Sequence, residues 1–256
     1  MEFGTITVGV KAPIDKKLNK VKQWGMTVWQ PSAPELKNEN LAQVKNRVEE
    51  RGLKMSALAA GVPMSNPAKK EDNLRAWDAN IETACALGVE IMFSRTFPKP
   101  EEVDDKEAWK SCIELGREMT QRCVDKGRVF AFECDHFNFI ENLEQTLRLL
   151  EEIGMPEMKI NFDPCNYYCG GDNPDTVMDA LFDRFVHGHI KDAVRPEGEK
   201  PHEVPVGEGD LDYVKILGDL HRRGFEDAMV IEHCKQFEEI EAAWEHIQSV
   251  RAQLEL

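Results

Sequence analysis

No stretch of the 256 residues stays apolar over the roughly 20 positions that a bilayer-spanning helix needs. The N-terminus also lacks the basic, apolar and small-residue succession of a secretory signal. The expectation is a cytoplasmic protein with no membrane partner. Basic charge is scarce, with 32 Lys and Arg against 47 Asp and Glu and a formal net charge of −15. Nucleic-acid binding draws most of its affinity from Lys and Arg contacts to phosphate, so a nucleic-acid partner is excluded. A single phosphate on a small substrate is not excluded, because a distant net charge is screened beyond about 8–10 Å. No glycine-rich phosphate loop follows the first apolar segment, which ends at Val10, and this argues against an open dinucleotide-binding sheet. The seven cysteines are odd in number and scattered, which indicates reduced thiols and no disulfide framework. Cys165 and Cys169 form half of a zinc site without a second pair at ligand spacing, and read as loop or packing thiols. No Ser/Gly linker or charge block divides the chain, so residues 1–256 read as one domain.

Glycine, by contrast, is placed with a rule. Gly25, Gly52, Gly88, Gly127, Gly154 and Gly224 each end a helix-like stretch and run at once into a strand-like one, the pattern of a C-cap followed by a tight αβ turn. The stretches before them carry apolar residues at helical spacing: Leu74, Trp77, Ile81 and Cys85, or Leu143, Leu147 and Leu150. The last helix repeats this with Ile240, Ala243, Trp244, Ile247 and Val250. Strands are predicted near 5–10, 26–30, 54–60, 89–95, 128–133, 158–163, 184–190 and 227–232. Eight βα units in a chain of this length predict a (β/α)8 TIM barrel, with a doubly wound sheet as the alternative. The αβ turns are minimal, whereas the βα connections near 61–72, 96–104, 134–141, 164–174 and 191–210 are long. Long loops on one face, at the C-terminal strand ends, are where barrel active sites lie.

Four of the predicted strands end in residues that can ligate a metal: Val129-Phe-Ala-Phe-Glu133, Met158-Lys-Ile-Asn-Phe-Asp163, Phe185-Val-His-Gly-His189 and Met229-Val-Ile-Glu232. Any one of them alone could be a buried carboxylate paired with a base, or a histidine bonded to a carbonyl. Together they converge on the barrel mouth, where three carboxylates repel one another and a divalent cation is the natural neutraliser. The oxygen and nitrogen set Glu133, Asp163, His189 and Glu232 suits Mn²⁺, Mg²⁺, Co²⁺ or Zn²⁺. His187 and His189 face the same side of their strand, and His189 is preferred because it is nearer the rim. Glu90 and Glu114 read as surface or helix charges. Trp29, Phe97, Phe137, Phe139, Tyr167 and Tyr168 lie on the loop face and could stack on a sugar ring or pack the loops down.

From Phe130 to His233 the chain resembles the xylose isomerase-like sugar phosphate isomerase/epimerase superfamily. The marks are Phe132-Glu133, Asp163-Pro-Cys-Asn166, His187-Gly-His-Ile-Lys-Asp192, Val204-Pro-Val-Gly-Glu-Gly-Asp-Leu-Asp212 and Val230-Ile-Glu-His233. The first half agrees only in βα rhythm. The resemblance implies that Glu133 and Glu232 both bind the metal and act as acid and base, with Asp163 and His189 completing the shell and manganese as the leading metal. It also implies a substrate role for Arg195, six residues after His189. Ketose 3-epimerases of the family carry a histidine where this chain has Asn166, so substrate specificity does not transfer. His189-Ile-Lys-Asp-Ala-Val-Arg195 also resembles inosose dehydratases, which makes a lyase the rival reading. The AP endonuclease branch has extra histidines for a three-metal cluster, and the regions after strands 2 and 3 hold none here. A non-catalytic carbohydrate-binding barrel is the remaining alternative.

The shared chemistry begins with removal of a C–H proton beside a carbonyl to give an enediolate, for which a Lewis-acid metal and two opposed carboxylates are suited. The small-molecule carbohydrate partner is expected to be clamped by the 191–210 flap with Lys191, Arg195 and His202, beside Asn166. Homo-oligomerisation is left open by the sequence.

Overall fold

In the computed structural model, which describes residues 1–256, nine parallel strands fill eight barrel positions. They are β1 (Glu2–Ile6), β2 (Val28–Gln30), β3 (Lys54–Met55), β4 (Ala57–Ala59), β5 (Ile91–Ser94), β6 (Val129–Phe132), β7 (Lys159–Phe162), β8 (Phe185–Ile190) and, after a hairpin of β9 (Asp192–Val194) and β10 (His202–Val204), β11 (Ala228–Ile231). The sheet order is β3-β2-β1-β11-β8-β7-β6-β5-β4. The expected strand over 54–60 is split because it changes partner: β3 pairs with β2 and β4 with β5. Ser56, at the break, donates its N–H to the Trp29 carbonyl at 3.2 Å. A bridge between Ser32 and Ala59 draws the two ends of the sheet together. The fold is a TIM barrel.

The first strand lies earlier than the predicted 5–10. Its ladder to β11 runs from Glu2 to Thr5, and after Ile6 the chain turns, with Val10 N–H on the Thr7 carbonyl at 3.0 Å. The alternation of Thr and Val beyond Ile6 imitates a strand, but Val8 is 50% exposed and belongs to a loop.

Helices surround the barrel: α1 (Ile14–Gln23), α2 (Ala33–Leu36), α3 (Leu41–Glu49), α4 (Lys70–Leu87), α5 (Asp105–Asp125), α6 (Leu143–Ile153), α7 (Pro164–Cys169), α8 (Pro174–Leu181), α9 (Tyr213–Arg222) and α10 (Phe237–Leu254). All six punctuating glycines have positive φ, the conformation that glycine adopts without a Cβ clash. In α6 the buried face is Leu143, Leu149, Leu150 and Ile153, whereas Leu147 points outward. The five apolar residues expected to face inward from α10 are all buried.

Two expected loops contain structure. The 164–174 connection begins with α7, because Asp163 is an N-cap whose Oδ1 accepts from Asn166 N–H at 3.0 Å, and Pro164 suits the first helical turn. The 191–210 flap is the β9–β10 hairpin, with Asp192 as its anchor. The two Asp192 carboxylate oxygens accept N–H bonds from Ala193, Gly207, Gly209 and Leu211 at 2.9–3.2 Å. A Cβ on Gly209 would sit 2.0 Å from Asp192 Oδ1, so the Gly-Glu-Gly-Asp run is shaped around that carboxylate.

Strand parity decides what faces the barrel interior. Odd and even positions separate Phe3, Trp29, Met229 and Ile231, in the large core under the helices, from Ile6, Val28, Ala228 and Val230 inside the barrel. Glu232 continues the parity of Val230, Glu133 that of Ala131 and Asp163 that of Asn161. The barrel axis therefore receives these carboxylates at its C-terminal mouth.

Candidate metal centre and active site

Glu133, Asp163 and Glu232 are each the first residue beyond their strand, and His189 is the last but one of β8. One ligand atom from each lies within 4.8 Å of the other three. Glu133, Asp163 and His189 are fully buried, and the Glu232 side chain is 10% exposed.

His189 sets the orientation of the group. Its Nε2 donates to Gln30 Oε1 at 3.1 Å, which turns Nδ1 toward the carboxylates: 2.6 Å from Glu133 Oε1, 3.2 Å from Glu232 Oε2 and 3.9 Å from Asp163 Oδ2. A ligating histidine commonly has its second nitrogen fixed in this way. His187 lies deeper, with Nδ1 2.8 Å from Asn161 Oδ1 and Nε2 3.1 Å from Ser56 Oγ. Asn161 Nδ2 in turn donates to Glu133 Oε1 at 3.0 Å. A polar chain of Ser56, His187, Asn161 and Glu133 thus supports the cluster from inside the barrel.

Charge in the cluster is uneven. Burial opposes the charged imidazole of His189, but Glu232 and Glu133 outweigh it and lift its pKa to about 10. Burial pushes the Glu133 carboxyl up, while Glu232 is held well below the usual range because His189 and Lys191 outweigh its burial. Lys191 is buried, with Nζ 2.8 Å from Asn166 Oδ1, 3.1 Å from Asp163 Oδ2 and 3.2 Å from Glu203 Oε1. Its pKa is raised, because Asp163, Glu232 and Glu203 outweigh the cost of burying the ammonium.

The donors fit a divalent cation. Glu133 Oε2, Asp163 Oδ2 and Glu232 Oε2 are buried and accept no well-formed hydrogen bond; Lys191 Nζ stands near Asp163 Oδ2 without hydrogen-bond geometry. Three orphaned carboxylate oxygens beside an oriented imidazole nitrogen make a hard ligand set. With its pKa raised by Glu232 and Glu133, His189 is expected to hold a proton that metal binding displaces, so affinity should rise with pH. Titration calorimetry in buffers of different ionisation enthalpy should find net proton release near neutral pH. Metal uptake without proton release contradicts this arrangement.

The other expected residues divide between the cluster and the surface. Asn166 is buried at the start of α7 and bonded to Lys191. Arg195 is exposed: its guanidinium lies over the Tyr168 ring at 4.4 Å and donates to the Tyr168 carbonyl. It lines an outer cavity of about 460 Å³ with Asp172, Asp210 and Lys215, away from the four ligands. His202 is exposed at the start of β10. Among the aromatics, Trp29 and Tyr167 are core, Phe97 lines the mouth and Phe137 is exposed. Cys165 is buried and Cys169 half-buried on α7. Glu90 is exposed, and Glu114 pairs with Lys70 at 2.7 Å.

The strand-edge rule that found the quartet, extended to the other strands, also finds Gln30 and Arg95. Glu203 and His233 carry no comparable signal. His233 Nδ1 is 2.6 Å from Glu203 Oε2, a contact that closes the hairpin over the mouth.

Fold and site together define a class: the chain belongs to the xylose isomerase-like TIM barrel family, whose model matches residues 18–252. Solved structures with the same fold include the "probable 3-DHS dehydratase AsbF involved in the petrobactin synthesis from Bacillus anthracis", 15% identical over 97% of this chain and 99% of that one, with a TM-score of 0.82. IolI with a bound zinc atom is 18% identical over 99% and 98% of the two chains, with a TM-score of 0.81. D-psicose 3-epimerase with D-tagatose, from Clostridium cellulolyticum H10, is 14% identical over 99% of both chains, with a TM-score of 0.81. At these identities the likeness carries the fold alone. No curated protein matches the sequence significantly. No helix is long and apolar enough to cross a membrane.

Proposed function

We propose that this protein is a divalent-metal-dependent isomerase or epimerase of a keto sugar or sugar derivative, with manganese as its metal. The observation that carries the reading is the convergence of Glu133, Asp163 and Glu232, each with a buried oxygen that accepts no well-formed hydrogen bond, with His189 Nδ1 at the floor of the barrel mouth. A cavity of about 730 Å³ reaches one of the four, Glu232. That volume lies within the range typical of small-molecule sites.

These four residues would hold the cation, which supplies Lewis-acid stabilisation of negative charge developing on substrate oxygens. Glu232 is the ligand that reaches the cavity, and its carboxylate, through the oxygen not held by the metal, would accept the α-proton. Glu133 would be the second acid–base group, from which a proton can return to the other face. Lys191, just beyond β8, and Asn166, at the start of α7, would orient substrate oxygens. The hairpin, held by Asp192 and by the Glu203–His233 contact, excludes water. Arg195 and His202 join the substrate only if the hairpin moves, since both stand outside the cluster.

A dehydratase of a keto sugar or keto-inositol is the second reading. The buried Lys191 ammonium favours it, because a cationic donor beside the acid–base pair can protonate a leaving hydroxyl. A screen of keto sugars and keto-inositols in D₂O separates the outcomes. Deuterium at the α-carbon of recovered sugar without an unsaturated product supports the isomerase, and a new ultraviolet-absorbing unsaturated product supports the lyase. Neither signal on any accepted compound contradicts both.

A further inference from the structure

We infer that the substrate carries an anionic group, a carboxylate or a phosphate monoester, and that Arg95 is the residue that selects it. This rests on the reading above that the cavity over Glu232 is the substrate site. Arg95 is the first residue beyond β5, on the inward parity of Phe93, and lines that cavity with Glu232. Its side chain is 32% exposed, and the cavity's lining also contains Lys37 and Glu39.

The guanidinium is held from two sides. Nη1 donates to Asp135 Oδ2 at 2.9 Å, and Asp135 is itself fixed, because Oδ1 accepts from Phe137 N–H at 3.0 Å. The Phe97 ring lies 5.3 Å from the guanidinium carbon. Phe97 has a φ of +60°, a conformation uncommon for a bulky residue, and such outliers cluster where a site must be held in place. Its carbonyl is tied to Phe139 N–H at 3.1 Å and to Ser65 Oγ at 3.2 Å. Its ring occupies the space above Gly61, where a Cβ would come within 2.8 Å of it.

Only Nη1 of Arg95 donates to a side chain, which leaves most of the five N–H donors without a side-chain acceptor. The carboxylates of the cluster can already receive the hydroxyls of a neutral polyol. A preorganised guanidinium fork adds recognition of a planar or tetrahedral oxyanion, which it binds with two parallel hydrogen bonds. The competing role for Arg95 is a tie between two loops through Asp135, and that role gives no preference among ligands.

The test uses the full-length, manganese-reconstituted protein and calorimetric titration with D-fructose, D-fructose 6-phosphate, D-fructuronate and inorganic phosphate. At least one anionic sugar should bind about ten- to a hundredfold more tightly than D-fructose, the scale of one charge-assisted pair. Preference for the phosphate or for the uronate identifies the anion. Arg95→Met should bring the ratio close to one, and Arg95→Lys, which keeps the charge and loses the fork, should lower it severalfold. No anionic preference in the wild type overturns the inference, as does an unchanged ratio in Arg95→Met or, should that variant not fold, in Arg95→Lys. Deuterium exchange is scored separately. Arg95-dependent anion binding without exchange on any sugar sinks the functional reading and leaves this one standing; exchange with equal affinity for neutral and anionic sugars does the reverse.

Discussion

Glu232→Gln and Glu133→Gln should each lower turnover by about 10²–10⁴-fold, the scale of a general acid–base contribution, with the fold unchanged. Glutamine keeps the size of the side chain and one oxygen for the metal, but it cannot take a proton. At Glu133 the retained oxygen can still accept from Asn161 Nδ2, the 3.0 Å contact that ties it to the barrel interior. The two variants should differ. An epimerase with one glutamate per face can still exchange the α-proton of one epimer when only the opposite glutamate is lost, whereas a lyase should lose its unsaturated product with either. Steady-state rates, circular dichroism and metal content together check this. Near-wild-type turnover in both variants refutes the acid–base assignment.

The double variant Asp163→Ala, His189→Ala should lose its metal altogether, from about one ion per chain in the reconstituted wild type, and lose activity with it. It removes two of the four donors, including the one nitrogen ligand. A modest stability cost is also expected, because Asp163 Oδ1 caps α7, and losing an N-cap typically costs about 1 kcal/mol. Elemental analysis after dialysis against chelator and reconstitution decides the matter. Full metal occupancy in the double variant rules out this site.

The barrel was legible in the sequence because its punctuation is local. Six glycines with positive φ each end a helix, and that requirement depends on no distant contact. The cluster was legible for the same reason: ligands at strand ends need only strand parity to be brought to one mouth. What was hidden depended on partners far along the chain. The third strand is split because its two halves pair with opposite neighbours, and no feature of residues 54–60 records that. Arg195 was expected at the substrate and lies instead on Tyr168, a position set by Asp210, whose Oδ2 accepts the Arg195 backbone N–H at 2.8 Å. Lys191 was expected on a flap and is buried against Asp163, because the hairpin begins one residue later. Glu203 reaches Lys191 and His233 only through the β9–β10 turn, which sequence periodicity does not reveal.

The most direct test of the account is solvent-proton exchange at the α-carbon of an accepted keto sugar, followed by NMR in D₂O. The reconstituted protein should incorporate deuterium, the chelator-treated protein should not, and added Mn²⁺ should restore the exchange, while Glu232→Gln with its metal in place should fail to exchange the epimer whose α-proton faces Glu232. Exchange that persists at the same rate in metal-free protein, or on both epimers in metal-loaded Glu232→Gln, would contradict the claim that this cluster is a metal-supported acid–base site.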